Sequence, residues 1–153
     1  MNIPRRTFLK STLMVTSSLV LGIPQAVMSA WPKPAFDAKN LEGVIKALFN
    51  TAQTMESDKV KITTPEIAEN GALVPVEVSV NFPKIESITI IAEKNRVPLI
   101  GQFNFSDSDQ VEYWVKTRIK MAETSKVIVI VNAEGKLYKA HKEVKVTVGG
   151  CGG

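Results

Sequence analysis

Histidine and cysteine each occur once in the 153 residues, at His141 and Cys151. Most metal and redox chemistry is excluded by that scarcity. A blue-copper site takes two His and a Cys, and an ordinary zinc site draws its ligands mainly from Cys and His. Covalent haem of the usual kind needs Cys-x-x-Cys-His. None of these can be assembled here, so no resident metal or cofactor is expected. An internal disulfide is excluded as well. No glycine-rich loop follows a strand and opens a helix, which removes the usual phosphate cradles. Charge of one sign is also scarce. The formal net charge is +4, but the first thirty residues hold Arg5, Arg6 and Lys10 and no acid, leaving 16 basic against 15 acidic residues beyond them. No basic patch argues for nucleic acid, and no charge asymmetry argues for a membrane surface.

What is present begins with Pro4-Arg5-Arg6-Thr7-Phe8-Leu9-Lys10. An uncharged, moderately apolar run follows from Ser11 to Val27, then small residues around Val27-Met28-Ser29-Ala30. A basic n-region, an apolar h-region and a small-residue cleavage site make a signal peptide. The pair Arg5-Arg6, followed by Phe8-Leu9-Lys10, gives it the twin-arginine form. The apolar run does not suit a membrane anchor: Thr16, Ser17 and Ser18 interrupt it and Gly22 and Pro24 break it, whereas a spanning helix takes about 20 mainly apolar residues. The expected organisation is a signal over 1–30, cleaved between Met28 and Trp31, a folded domain over 31–148 and a terminal arm over 149–153. The mature protein is expected in a bacterial periplasm, exported already folded. About 120 residues then remain, enough for one modest core.

In that body, Leu41, Val44, Ile45, Leu48 and Phe49 recur at helical spacing and predict a helix over 37–53. Beyond residue 59 the period changes to two. Val60–Thr63 is a short strand ended by Pro65, and Asn70-Gly71 is a turn. Leu73–Val80 alternates, with Val74, Val76, Val78 and Val80 on one face. Further strands are predicted over Ile85–Ala92, Leu99–Phe105 with Gly101 at a bulge, Val111–Met121 and Val127–Val131. Ala133-Glu134-Gly135-Lys136 reads as a hairpin turn, and Leu137–Ala140 and Val144–Val148 finish the series. About seven short strands after one helix predict a mainly β chain, an antiparallel immunoglobulin-like sandwich with an N-terminal helix and a flexible C-terminal tail. The surfaces around Val76–Val80 and Ile88–Ala92 read as exposed edges, candidates for a partner interface.

The candidate chemistry lies at the end: Gly149-Gly150-Cys151-Gly152-Gly153. Glycine packs little surface and visits backbone regions closed to other residues, so this stretch reads as a leash bearing one thiol. Five extended residues span roughly 17 Å, enough to carry a sulfur into a cleft of another protein. A lone cysteine is commonly a buried small hydrophobe, but a terminus is an unsuitable place for burial, and an odd cysteine in an exported chain points to intermolecular pairing or a reactive thiol. Thiolates form bonds to sulfur by exchange, governed by access and proton affinity. A Cys151–His141 catalytic pair would set one partner on the leash, where the fixed geometry that nucleophilic catalysis needs is missing. His141 reads instead as a solvated strand-end residue. Asp107 and Asp109 read as a solvated loop, and Arg118, Lys120 and Lys126 as a solvated strand face.

The segment Val144-Lys145-Val146-Thr147-Val148-Gly149-Gly150-Cys151-Gly152-Gly153 resembles the end of the sulfur-carrier subunit of the periplasmic thiosulfate-oxidising (Sox) system, the SoxY family. The resemblance continues inward through Ile67–Val76, Ile91–Asn95 with Pro98-Leu99, and Thr117–Ser125, and the twin-arginine leader fits it. The resemblance implies a non-catalytic covalent carrier. Cys151 would be joined oxidatively to thiosulfate as a cysteine S-thiosulfonate by a haem-containing conjugating enzyme. A hydrolase would release sulfate, and a sulfane dehydrogenase, where the system has one, would oxidise the remaining sulfur. It also implies a heterodimer with a small SoxZ-like subunit that lacks its own signal and is exported bound to the carrier. Two other readings stand beside it. Gly152-Gly153 is similar to the end of ubiquitin-like sulfur carriers, which act in the cytoplasm and lack an export signal. A structural or adhesive sandwich joined through a Cys151–Cys151 disulfide is the other.

Overall fold

The computed structural model describes residues 32–106 and 113–149, all within one unit running from Pro32. The predicted leader with Arg5 and Arg6, the Asp107/Asp109 loop, and Gly150, Cys151, Gly152 and Gly153 lie outside the described residues. Two sheets and a helical layer make up the fold. The smaller sheet is built on β4 (Val74–Val80), whose four alternate valines are buried while Pro75 is exposed and Glu77 and Ser79 are part-buried. β4 lies between β2 (Val60–Thr63) and β7 (Tyr113–Ile119), antiparallel to both, with Val60 opposite Val80 and Val74 opposite Ile119.

The larger sheet contains β5 (Ser87–Ala92), β6 (Leu99–Asn104), β8 (Ser125–Ala133) and β9 (Lys136–Val146), with the two-residue strands β1 (Met55–Glu56) and β3 (Ile67–Ala68) on the far side of β9. β5 is buried at every residue, and β8 at all but Lys126 and Asn132. The reason is that this sheet is covered on both faces. Ile88, Ile90, Ala92, Val127, Val129 and Val131 pack with the β4 valines, Val115, Ile119 and Met121 between the sheets. Ile91, Leu99, Ile128, Ile130 and Leu137 take the helices from the other side. The expected antiparallel sandwich is thus observed, with a helical layer on its outer face.

Several local readings are refined. Helix formation is divided between α1 (Lys33–Asp37) and α2 (Leu41–Phe49), in place of one helix over 37–53. Ala38 is extended, and Asn40 caps α2 by accepting from the Gly43 N–H at 2.8 Å. Asn50 then ends α2 in the left-handed region, its own N–H bonded to the Lys46 carbonyl. β9 runs without the break expected at 141–143, because β8 pairs with it continuously from Lys136 to Val144. β1 and β3 were not foreseen. They pair parallel to β9 and carry too few residues for a periodic signal. The bulge expected at Gly101 is present beside it: Ile90 faces Gly101 and Ile91 faces Leu99, leaving Ile100 as the extra residue. The candidate partner surfaces are corrected. β4 is the central strand of its sheet and β5 is flanked by β6 and β8, so neither is an edge.

Three substitutions test this architecture. Ile88→Ala removes a fully buried side chain between the sheets and is expected to lower the unfolding free energy in a urea titration by about 2–5 kcal/mol. The β8–β9 turn has Glu134 at φ 53° and Gly135 at φ 70°, the two-residue I′ geometry. Nothing lies within 4 Å of a Cβ built on Gly135 or on Gly101, but only Gly135 has a positive φ. Gly135→Ala should therefore cost about 1 kcal/mol, and Gly101→Ala should stay within about 0.5 kcal/mol of the parent in the same titration.

Candidate functional site

Of the expected arm only Gly149 is described, and its root is built by the last residues of β9. Beyond Val144 this strand has passed the end of β8 and finds new partners at each step. Lys145 N–H donates to the Glu66 carbonyl at 2.9 Å, and Thr147 N–H to Ala68 at 3.1 Å, which is the parallel pairing with β3. Between them, Val146 N–H donates to Thr124 Oγ1 at 2.9 Å. The Thr147 hydroxyl donates to the Glu69 carbonyl at 2.9 Å. The Val148 carbonyl accepts from Gly71 N–H at 2.7 Å.

Gly71 is the hub of this junction. It is buried, and its carbonyl accepts from Met121 N–H at 2.7 Å, so one peptide unit on each side joins the arm root to the end of β7. Asn70 shapes the turn that places it, its side chain accepting from Ala72 N–H at 2.8 Å. Asn95, in the turn after β5, holds the third piece. Its Nδ2 donates to the Lys120 carbonyl at 2.7 Å and its Oδ1 accepts from Ala122 N–H at 3.0 Å. At Gly149 the backbone passes so close to the Ala122 carbonyl that a Cβ would overlap its oxygen. Glycine is required there by close approach, in addition to any freedom it gives the residues that follow.

Chemically the junction is a mount. It consists of backbone groups, two threonine hydroxyls and two asparagine amides. Among the described residues no cluster of three or more His, Cys, Asp or Glu could hold a metal ion. The nearby Lys94–Glu123 pair, 3.5 Å apart, has both side chains more than half exposed, and such a pair contributes little. A cleft of about 660 Å³ lined by Lys59, Phe82, Tyr113 and Trp114 opens at the Val80 end of β4, the end away from Val74 and Gly71, so it is not continuous with the root.

The other sequence candidates fall as follows. His141 is exposed, but it sits mid-strand in β9 opposite Ile128, which corrects its reading as a strand-end residue. Arg118, Lys120 and Lys126 are exposed, as expected of a solvated face. Lys120 nevertheless enters the junction through its carbonyl. Gly71, Asn95, Thr124 and Thr147 were not singled out by residue chemistry, although Gly71, Asn95 and Thr124 lie within the inward segments of the resemblance and Thr147 within its C-terminal one. Those segments, far apart in the chain, meet at the arm root.

The family model described as "Sulfur oxidation protein SoxY" matches residues 45–151. Among solved structures, the chain is similar to the sulfur carrier protein SoxY from Chlorobium limicola f thiosulfatophilum, at 39% identity and a TM-score of 0.64, over 71% of this chain and 97% of that one. An engineered protein aligns at 11% identity and a TM-score of 0.39, over 58% of this chain and 20% of that one, too loosely to bear on fold or function. A search of curated protein sequences returned no match. A family region that runs from α2 to the only cysteine, and a solved relative aligned over nearly all its length, have one meaning: the chain belongs to the sulfur oxidation protein SoxY family.

Proposed function

We propose that this protein is a sulfur-compound carrier that holds thiosulfate-derived intermediates covalently on Cys151 and presents them to the enzymes of a thiosulfate-oxidising system. The observation that carries the reading is the mounted root. Membership of a family containing a named sulfur carrier coincides with a strand end hydrogen-bonded at every residue from Lys145 to Val148, with Gly149 close against the Ala122 carbonyl two residues before the only cysteine. Two Cα–Cα steps allow the Cys151 Cα to lie at most about 7.6 Å from that of Gly149. The thiol is thus tethered close to a fixed point while its own reach is set by glycines.

The chemistry is simple and balanced. The Cys151 thiolate and thiosulfate join through a new S–S bond, and two electrons pass to a haem-containing conjugating enzyme, leaving cysteine S-thiosulfonate. A hydrolase adds water across the terminal S–S bond, releasing sulfate and two protons and leaving a persulfide anion on Cys151. A sulfane dehydrogenase, where present, oxidises that remaining sulfur. The carrier contributes the sulfur atom and its placement, and catalysis belongs to the partners. We place the protein in the periplasm, exported by the twin-arginine route through Arg5 and Arg6 in a heterodimer with a SoxZ-like small subunit. Among the described residues no helix is long and apolar enough to cross a membrane.

Reconstitution with the conjugating enzyme and thiosulfate tests this reading. Wild-type carrier should support thiosulfate-dependent haem reduction, and Cys151→Ser should abolish it while leaving the unfolding transition unchanged. Equal turnover with Cys151→Ser would overturn the proposal. Gly149→Ala keeps the thiol but drives a Cβ into the Ala122 carbonyl. It should cost about 1–3 kcal/mol in a urea titration and slow conjugation, with no change in the total free thiol titrated after unfolding.

A further inference from the structure

Asn95 does something that asparagines in turns ordinarily do not. Asn70 bonds locally, to a residue two positions on. Asn95 is buried, 6% exposed, and its side chain reaches 25 and 27 residues along the chain, to the Lys120 carbonyl and the Ala122 N–H. Both halves of the amide are used. They bracket Met121 as a neighbouring strand would, donating to one flanking peptide and accepting from the other. On its opposite side Met121 N–H is held by the Gly71 carbonyl. The 120–122 segment is therefore fixed from two directions, and the Ala122 carbonyl is the surface against which Gly149 leaves the body.

We infer that Asn95 is a positioning residue for the arm: through the bracketed 120–122 segment it sets the point and direction of exit ahead of Cys151. This rests on the carrier reading. Asn95 touches neither the arm nor a substrate; it acts through Ala122. Neither core cluster contains it, and the Asn95 backbone bond to the Ala92 carbonyl at 3.2 Å does not involve the side chain. Asn95→Ala removes the bracket. Asn95→Asp keeps the shape but sets a carboxylate oxygen against the Lys120 carbonyl, where a donor is required.

Full-length mature carrier in its native heterodimer is the material for the test. The rate of Cys151 labelling by a small maleimide should be unchanged in both variants. With the conjugating enzyme, kcat/KM for the carrier should fall by about 10- to 100-fold, since displacement of a reacting group by an ångström costs rates of this order. Inserting two glycines between Gly149 and Gly150 should recover most of that loss in Asn95→Ala and give wild type no gain. Val129→Ala, at a core site remote from the root, should keep the wild-type kcat/KM at temperatures where it is folded. Independently of any transfer, pulsed dipolar EPR between nitroxides on Cys151 and on an introduced Lys61→Cys should show a shifted or broadened distance distribution in Asn95→Ala and not in Val129→Ala. Wild-type kcat/KM in the Asn95 variants, an unchanged EPR distribution, or a loss that longer arms do not recover would overturn the inference. Failure of wild type itself to be conjugated would instead overturn the carrier reading, with the EPR comparison still deciding what Asn95 does to the arm.

Discussion

The register of β8 against β9 decides where the chain stands at Gly149. The Glu134–Gly135 turn pairs Ala133 with Lys136, and eight further pairs follow in step to Ser125 opposite Val144. Because side chains alternate strictly along a strand, a slip of one residue would turn Val144 out of the core and move every later residue to the wrong partner. In the observed register Val144 is the last fully buried residue of β9, and the strand then crosses to β3 and Gly71. Gly149 arrives at the Ala122 carbonyl, where a Cβ would overlap the oxygen. The sandwich, the helical layer and the short parallel strands all hold β9 in that register.

Much of this was legible in the residues. The alternation of Val74, Val76, Val78 and Val80 locates a strand with one buried face, and the apolar run Val127–Val131 locates a central strand, which the structure shows covered on both faces. Glu134-Gly135 located the hairpin. Limits appeared wherever a neighbour decided the matter. Alternation says which side of β4 is buried, but not that β2 and β7 flank it, so Val76–Val80 reads as an edge in the sequence. Met55–Glu56 and Ile67–Ala68 are strands only because β9 runs beside them. The apolar stripe Leu41 to Phe49 matches α2, and the expected bounds 37–53 run past it into residues that Asn40 and Asn50 cap off. At the candidate site, Cys151 and its glycines stand out by position, while Asn95 enters the sequence reading only as the end of the Ile91–Asn95 segment of the resemblance. Its significance lies in partners 25 and 27 residues away, which no local pattern reveals.

The division of labour in the molecule follows from what it lacks. With one histidine and one cysteine in the sequence, and no metal-binding cluster among the described residues, the proposed carrier would take its chemistry from Cys151 and its geometry from the body. A carrier needs its cargo kept from its own side chains and offered to several enzymes in turn. In the proposed carrier, the fixed root would limit the volume the sulfur searches and the flanking glycines would add no bulk near it.

The claim on which the account stands is that Cys151 is the covalent attachment site. The direct measurement is the intact mass of the protein isolated without reductant from thiosulfate-exposed periplasm, with peptide mapping of its C-terminal segment. The account predicts a thiosulfate-derived or persulfide adduct on the peptide containing Cys151. An unmodified thiol there, or only a Cys151–Cys151 disulfide that never exchanges when thiosulfate and the conjugating enzyme are supplied, would contradict it.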